Sequence, residues 1–371
     1  MEALSRLVAI QGAIISGSDA GIAPGHVAGN VHKGIDMIVV NGAIADDNVE
    51  VVRARELGIA IIDRAELLAE IESQYKNRIA IAGTHGKSTT TAMIGAVLVA
   101  GGLNPTVHNG ARPNLILGGK DFFVTEACEF KRSFLKLNPT VAVVTNIEYD
   151  HVDCYKSLKD VQRAFDKFTA KAGTVIRNRG RIWSFAHSRG KYGFLVGGVR
   201  ILLNVPGKHN VQNAALAVKV GLHFGIDIET IKRALEAFNG IERRFQQIGE
   251  GVITDYAHHP AEIETTIKTA TDIYGEGKFL IVFQPHTFSR TIALFDDFVR
   301  VLRQCDCVMY KTYSAREKSM DGGTAADLAT AVGVRHFSNK VGLKNYLAKV
   351  SGNYRAIILT GAGDINRALD E

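Results

Sequence analysis

Seven consecutive residues, Gly83-Thr84-His85-Gly86-Lys87-Ser88-Thr89, follow the apolar run Ile79-Ala80-Ile81-Ala82 and open a helical pattern. A Gly-rich turn between strand and helix turns backbone N–H groups inward. The helix start adds a partial positive charge and Lys87 a whole one, so the loop fits the β- and γ-phosphates of ATP. Ser88, beside the lysine, is placed to ligate Mg²⁺ through its hydroxyl. The loop is shorter than the general pattern G-x-x-x-x-G-K-[ST], so strand, loop and helix together carry the reading.

Two further residues stand where apolar runs end. Glu126 follows residues 123–125 in the string Thr-Glu-Ala-Cys-Glu, and His151 closes Thr145-Asn146-Ile147-Glu148-Tyr149-Asp150-His151. In a parallel sheet both lie on the edge that carries the phosphate loop, where a metal bound to ATP takes oxygen and imidazole ligands. Taken singly, a surface carboxylate or a capping imidazole would account for either. Their shared edge with the loop joins them into one candidate site. His258 and His259 have no Cys or His at zinc spacing and read as loop residues near a substrate.

The elements that must position these groups form an α/β chain. Residues 1–75 read as a helix, a short strand (11–16), a Gly-rich turn (17–29), a buried strand (36–41), a helix (47–57), a strand (60–62) and a helix to about 73. From 78 a strand runs into the phosphate loop and its helix to 100, then strands at 122–125 and 141–147 and a helix at 159–170. Residues 174–204 are short, Gly- and Arg-rich and weakly periodic, with room for two small strands. Helices follow at 210–224 and 228–238, the second ending on Asn239-Gly240 as a C-cap. Strands at 251–255, 278–284, 305–311 and 356–360 then alternate with helices such as 261–273 and 292–302, a second doubly wound sheet with its crevice beyond the strands' carboxyl ends.

At 371 residues the chain exceeds one ordinary core, and three domains are expected: 1–75, 76–240 and 241–371. The first is a reduced Rossmann-like domain, the second a P-loop ATPase-like parallel-sheet domain, the third Rossmann-like again. A composition 46% hydrophobic and 22% charged excludes a disordered or fibrous chain. The net charge of +6 comes without a run of five basic residues, which argues against a nucleic-acid stripe and suits anionic small molecules as well as a plain solvated surface. No stretch approaches a membrane span and the first residues lack a signal-peptide layout, so the cytoplasm is the default location. Cys128, Cys154, Cys305 and Cys307 form no C-x-x-C pair and read as reduced thiols, Cys305 and Cys307 packing in a strand.

Seven ordered motifs give this pattern a family. Gly-Thr-His-Gly-Lys-Ser-Thr-Thr-Thr, Thr-Asn-Ile-x-x-Asp-His, His-Asn-x-x-Asn-Ala-Ala (209–215), Ile-Glu-Arg-Arg-Phe (241–245), Asp-Tyr-Ala-His-His-Pro (255–260), Phe-Gln-Pro-His (283–286) and Gly-Ala-Gly-Asp-Ile (361–365) resemble the Mur ligases, spanning residues 79–365. Within that family the likeness is to the branch that joins L-alanine to UDP-N-acetylmuramate in peptidoglycan synthesis. It implies that ATP phosphorylates the lactyl carboxylate and that the amine of L-alanine attacks the acyl phosphate. Carried over, Lys87 would neutralise the γ-phosphate, and Ser88, Glu126 and His151 would hold Mg²⁺. Gly83, Thr84, His85, Gly86 and Thr89 would wrap the phosphates, with Asn210 and Asn213 beside the nucleotide. Arg244 would reach the phosphates, Asp255 would align the nucleotide contacts of its domain, and His286 and Arg290 would grip the amino acid. Without the family, Asn210 reads as a helix cap, Asn213 as an exposed turn residue and Arg244 as a surface charge.

The pattern also departs from the family. The family's first strand and its Gly-x-Gly-Gly-x-Gly-Met-Ser loop, which receives the uridine diphosphate, have no counterpart before Met1-Glu2-Ala3-Leu4-Ser5. Residues 17–33 and 174–204 are shortened as well. The expectation is therefore firmer for ATP than for the sugar nucleotide. Two rivals stay open: a ligase of this type with another acceptor, such as a murein peptide ligase, and a reduced, inactive paralogue that keeps only the ATP pocket. An unrelated P-loop motor would need a separate strand-end aspartate in place of Glu126 and His151.

Overall fold

The computed structural model of the protein describes residues 1–19, 25–42, 44–149, 154–178, 182–186, 190–315 and 317–369. The chain divides into two compact units, Met1–Arg179 with Leu216–Ile226, and Gly180–Ala215 with Asp227–Glu371.

The first unit opens with α1 (Glu2–Ile10), whose Ala3, Leu4 and Leu7 are buried. Strands β1 (Met37–Val40) and β2 (Ala60–Asp63) pair in parallel, with α2 (Val49–Leu57) between them and α3 (Arg64–Ser73) after. A capping box starts α3: the Asp63 carboxylate accepts from the helix's first turn and the Glu66 carboxylate accepts from the Asp63 N–H. Then come β3 (Asn77–Ala82), α4 (Lys87–Ala100), β4 (Thr106–His108), β5 (Leu115–Ile116), β6 (Phe122–Ala127), β7 (Val141–Val144), α5 (Leu158–Thr169) and β8 (Thr174–Arg177). Among the described residues these strands form a sheet of order β5-β4-β6-β3-β7-β8, parallel except for β5. Ile79 to Ala82 and Val141 to Val144 are buried throughout, as continuous apolar runs in a sheet covered on both faces must be. One core cluster joins α1 and α3 to this sheet, from Leu4, Leu7, Leu68 and Ile71 to Phe123, Phe134, Phe165 and Phe168.

The second unit holds an antiparallel meander of β9 (Ser184–Ala186), β10 (Lys191–Val196) and β11 (Val199–Pro206), the first half of α6 (His209–His223), whose residues from Leu216 on belong to the first unit, and α7 (Ile228–Ala237). Next are β12 (Gln246–Gly249), β13 (Val252–Asp255), α8 (Pro260–Tyr274), β14 (Phe279–Phe283), α9 (Phe288–Ala293), α10 (Phe295–Leu302), β15 (Cys307–Tyr310), α11 (Ala325–Val332), β16 (His336–Phe337), α12 (Lys340–Val350) and β17 (Ala356–Thr360). Among the described residues its larger sheet has the order β12-β13-β17-β14-β15-β16, parallel from β13 onward. Apolar clusters cover both faces, one around Phe279, Phe283 and Phe298, the other around Leu280, Val282 and Leu359.

Several expected elements differ. Residues 11–16 form no strand: among the described residues no strand pairs with them, so the segment stays in water with Ile14 fully exposed. The strand expected to be buried at 36–41 is only half-buried, because β2 is its one strand partner among the described residues. β7 stops at Val144, since Thr145 and Asn146 turn to bond the phosphate loop. α7 leaves helical geometry at Phe238, before the expected Asn239-Gly240 cap. The helix expected at 292–302 is two helices broken at Leu294, where Asp296 and Asp297 give the second its own acidic first turn. Cys305 lies outside β15 and Cys307 inside it, and none of the described cysteines forms a disulfide.

Candidate phosphate-loop site

Register fixes where the loop emerges. Ala82 of β3 stands level with Ala127 of β6 and Val144 of β7, so Gly83, Cys128 and Thr145 leave the sheet side by side at its carboxyl edge. Gly83 has φ +149, and a Cβ there would sit 1.8 Å from Thr145 Oγ1. No other residue fits without moving the neighbouring strand end.

Asn146 then stitches the loop in place. Its carbonyl accepts from the Thr84 N–H at 3.1 Å, its Oδ1 from the His85 N–H at 2.8 Å, and its amide donates to the His85 carbonyl at 3.0 Å. The Thr145 hydroxyl donates to the same carbonyl at 2.7 Å, and the Thr84 hydroxyl accepts from the Glu148 N–H at 2.9 Å. This corrects one expectation: the Thr84 and His85 N–H groups serve Asn146 rather than turning inward. The inward donors begin at Gly86, where the first turn of α4 leaves its N–H groups without intrahelical partners. Ser88 and Thr89 are buried in that turn.

Lys87 is the charged centre. Its ammonium donates to the carbonyls of Gly83 at 2.5 Å and Thr84 at 3.1 Å, and meets the Glu129 carboxylate at 3.0 Å. Burial lowers its proton affinity, but Glu129, Cys128 and Glu126 outweigh burial, so the ammonium sits above its ordinary range and stays charged. Glu126 lies within β6, level with Ile81, and its Oε1 accepts from the Gly110 N–H at 2.6 Å. The Asn109 amide donates to the Ser88 carbonyl at 3.2 Å, so one short loop touches both expected oxygen donors. His151 lies outside the described residues. Among the described residues no group of three His, Cys, Asp or Glu side chains is gathered for a metal. Hydroxyl and carboxylate oxygens are nonetheless the donor types that Mg²⁺ takes. Glu129 was missed in the sequence, where it is one acid among several.

The second unit collects the other candidates. Asn210 and Asn213 are buried at the start of α6. Asn210 donates to the Pro206 carbonyl at 2.7 Å and accepts from Asn213 at 3.0 Å, so neither is an exposed turn residue. Asp255 ends β13 and accepts from the Phe245 and Ala257 N–H groups at 3.0 and 2.8 Å. Burial pushes its carboxyl up to about 6 against the pull of Arg244. Those bonds hold the bend at Arg243 and Phe245, both at positive φ, and thereby aim Arg244. Arg244 lies 5.3 Å from the centre of the Tyr256 ring and 3.8 Å from Glu262, while Arg243 donates to the Gly361 carbonyl at 2.5 Å.

His286 and Arg290 lie together beyond β14. The guanidinium donates to the His286 carbonyl at 3.0 Å, and the imidazole stacks on Tyr313 with ring centres 5.4 Å apart. Burial, then His258 and Arg290, lower the imidazole to about 4, so it is neutral near pH 7. His258 and His259 are loop and cap residues, His259 capping α8.

A buried strand-loop-helix phosphate cradle at a parallel sheet edge, followed by a second doubly wound sheet, defines a nucleotide-using α/β protein. The comparisons then narrow the class. Residues 1–76 match the Mur ligase family catalytic domain, 81–189 the Mur ligase middle domain and 243–363 the Mur ligase glutamate ligase domain. The chain belongs to the Mur ligase family.

It is 35% identical to the UDP-N-acetylmuramate--L-alanine ligase of Lachnospira eligens, over 98% of this chain and 94% of the relative. That alignment runs over 430 positions, more than the 371 residues present, so the relative carries segments that this chain lacks. The crystal structure of UDP-N-acetylmuramate-alanine ligase MurC from Thermotoga maritima superposes with a TM-score of 0.79 at 27% identity, covering 98% of this chain and 88% of that one. A murein peptide ligase from Psychrobacter arcticus shares the fold, with a TM-score of 0.69 at 22% identity over 100% of this chain and 95% of that one. No helix among the described residues is long and apolar enough to cross a membrane.

Proposed function

We propose that the chain is an ATP-dependent ligase that joins L-alanine to UDP-N-acetylmuramate. The observation that carries this reading is the charged Lys87 ammonium, buried in the loop at the carboxyl edge of β3 beside Glu126 and Glu129, in a chain with full-length relatives of that name. The lactyl carboxylate attacks the γ-phosphorus of ATP, the new P–O bond forming as the bond to ADP breaks. The amine of L-alanine then attacks the acyl carbon, and phosphate leaves as the amide forms and the amine loses a proton.

Charge accumulates on phosphoryl oxygens in the first step, so the protein's work is cationic stabilisation and positioning. Lys87 and the N–H groups from Gly86 onward face the phosphates. Asn210, Asn213, Arg244 and Asp255 serve the nucleotide, and the neutral His286 with Arg290 receives the amino acid. Ser88, Glu126 and His151 would hold Mg²⁺, which neutralises phosphate charge when bound. A division into domains at 1–75, 76–240 and 241–371 follows the family pattern.

The test is phosphate release in the presence of ATP, UDP-N-acetylmuramate and single amino acids. Release that requires both the sugar nucleotide and L-alanine is expected. Release with another acceptor only would move the protein to another branch, such as the murein peptide ligases.

One observation favours a second reading: the first 75 residues hold a lone pair of half-buried strands, in a chain whose relatives carry segments that it lacks. A paralogue that binds ATP and has lost the sugar nucleotide would show this. Calorimetric titration with UDP-N-acetylmuramate separates the two, tight binding removing the second reading.

A further inference from the structure

Glu129 has no part in the reaction just described, yet it meets the phosphate-loop lysine with both carboxylate oxygens, at 3.1 and 3.0 Å, and its side chain is only 3% exposed. Its backbone is clamped. The buried Tyr155 hydroxyl donates to the Glu129 carbonyl at 2.6 Å, and the Arg132 N–H donates to the same carbonyl at 2.9 Å. The following residues, Lys131 and Arg132, both adopt left-handed backbone at φ +49 and +58, a costly conformation for side-chain-bearing residues. Distant contacts pin them: Lys131 donates to the Gly42 carbonyl at 2.7 Å, and Arg132 grips both oxygens of Asp160 at 2.9 Å. A strained turn held from two sides thus presents one carboxylate to one ammonium.

We infer that Glu129 is a positioning residue for Lys87, holding its ammonium against the Gly83 and Thr84 carbonyls so that the terminal phosphate of a nucleotide competes with this carboxylate for the same charge. The inference rests on the proposed reading of the loop as an ATP site. Two consequences oppose each other. The carboxylate repels phosphate and so weakens ground-state binding, while it fixes where the ammonium stands as charge develops on the transferring group. Removing the charge while keeping the shape separates them.

Glu129→Gln is expected to tighten ATP, by calorimetry, about fivefold and ADP less, because the lysine faces the terminal phosphates. In turnover it is expected to lower kcat about tenfold while KM for ATP falls, as looser positioning predicts. Glu129→Asp keeps the charge with a shorter reach, so kcat should drop with KM for ATP within about twofold of wild type. It also serves if the Gln variant does not fold. A purely structural role would weaken ATP and ADP alike and raise KM, and that result overturns the inference, as do unchanged constants in Glu129→Gln. The two readings fail separately. If Lys87→Ala binds ATP as wild type does, the ATP-site reading falls. If Lys87→Ala loses ATP while Glu129→Gln matches wild type, the role of Glu129 alone is refuted.

Discussion

The two sheets of the first unit are built to different standards. In the six-stranded sheet, β3 and β7 are buried along their apolar runs and flanked by strands on both sides, and the loop leaving β3 is tied down by Thr145, Asn146 and Glu148. The β1–β2 pair has two strands of four residues, exposed at their first residues and half-buried beyond. A loop can hold charge to within tenths of an ångström only when the strand ends beneath it cannot shift, and the first sheet alone supplies that. The Gly83–Thr89 loop stands on that rigid edge, and the β1–β2 pair offers no comparable footing.

The contrast breaks first at the cradle. Gly83→Ala should lower ligation by about 10³-fold or more, because the new Cβ drives the loop from Thr145 and displaces Lys87. Wild-type turnover in that variant would show that the loop is not rigid. Next, Phe123→Ala, at a fully buried position packed at a tilt against the Tyr75 ring, should cost about 3–5 kcal/mol in urea unfolding. Ile62→Ala in β2 should cost under about 1.5 kcal/mol, since that side chain is only partly buried. Equal costs would mean that both sheets are equally load-sharing.

Acid provides a third, smaller test. His108 of β4 is buried against the Thr125 hydroxyl at 2.8 Å, and burial, then Arg64, lowers it to about 3. An unfolded histidine titrates near 6.5, so below that pH only the unfolded chain takes the proton. Stability is intact above about 6.5 and falls as pH drops toward 3, by roughly 2 kcal/mol at pH 5. Asp255 acts in the opposite direction. Raised to about 6 by burial, its carboxyl takes a proton in the folded state first, so stability rises as pH falls from about 6 toward its unfolded value near 4. His108→Gln should therefore flatten the acid decline measured in urea titrations at pH 7 and pH 5. An unchanged pH dependence would contradict the burial assigned to His108.

The same contrast explains what the sequence disclosed. Ile79 to Ala82 followed by Gly83 could be read because a fully buried strand needs an unbroken apolar run and a phosphate turn needs glycine at positive φ. Gln11 to Ser16 misled for the converse reason: Ala13-Ile14-Ile15 has strand composition, but pairing requires an edge that sequence does not display. The break at Leu294 was hidden because apolar residues continue across it. Lys87 was legible from its loop, whereas Glu129 was not. Its importance comes from the turn at Lys131 and Arg132 and from the Tyr155 hydroxyl, all fixed by tertiary contacts. Arg244 was legible only through its motif, and the Asp255 bonds that aim it run through backbone N–H groups that no residue pattern shows.

If Lys87 in this loop binds the terminal phosphates of ATP, titration calorimetry of Mg·ATP with wild type and Lys87→Ala shows it most directly. A loss of affinity of about 100-fold or more in the variant, measured at a temperature where it is still folded, is the predicted result. Equal affinity in the two proteins would contradict it.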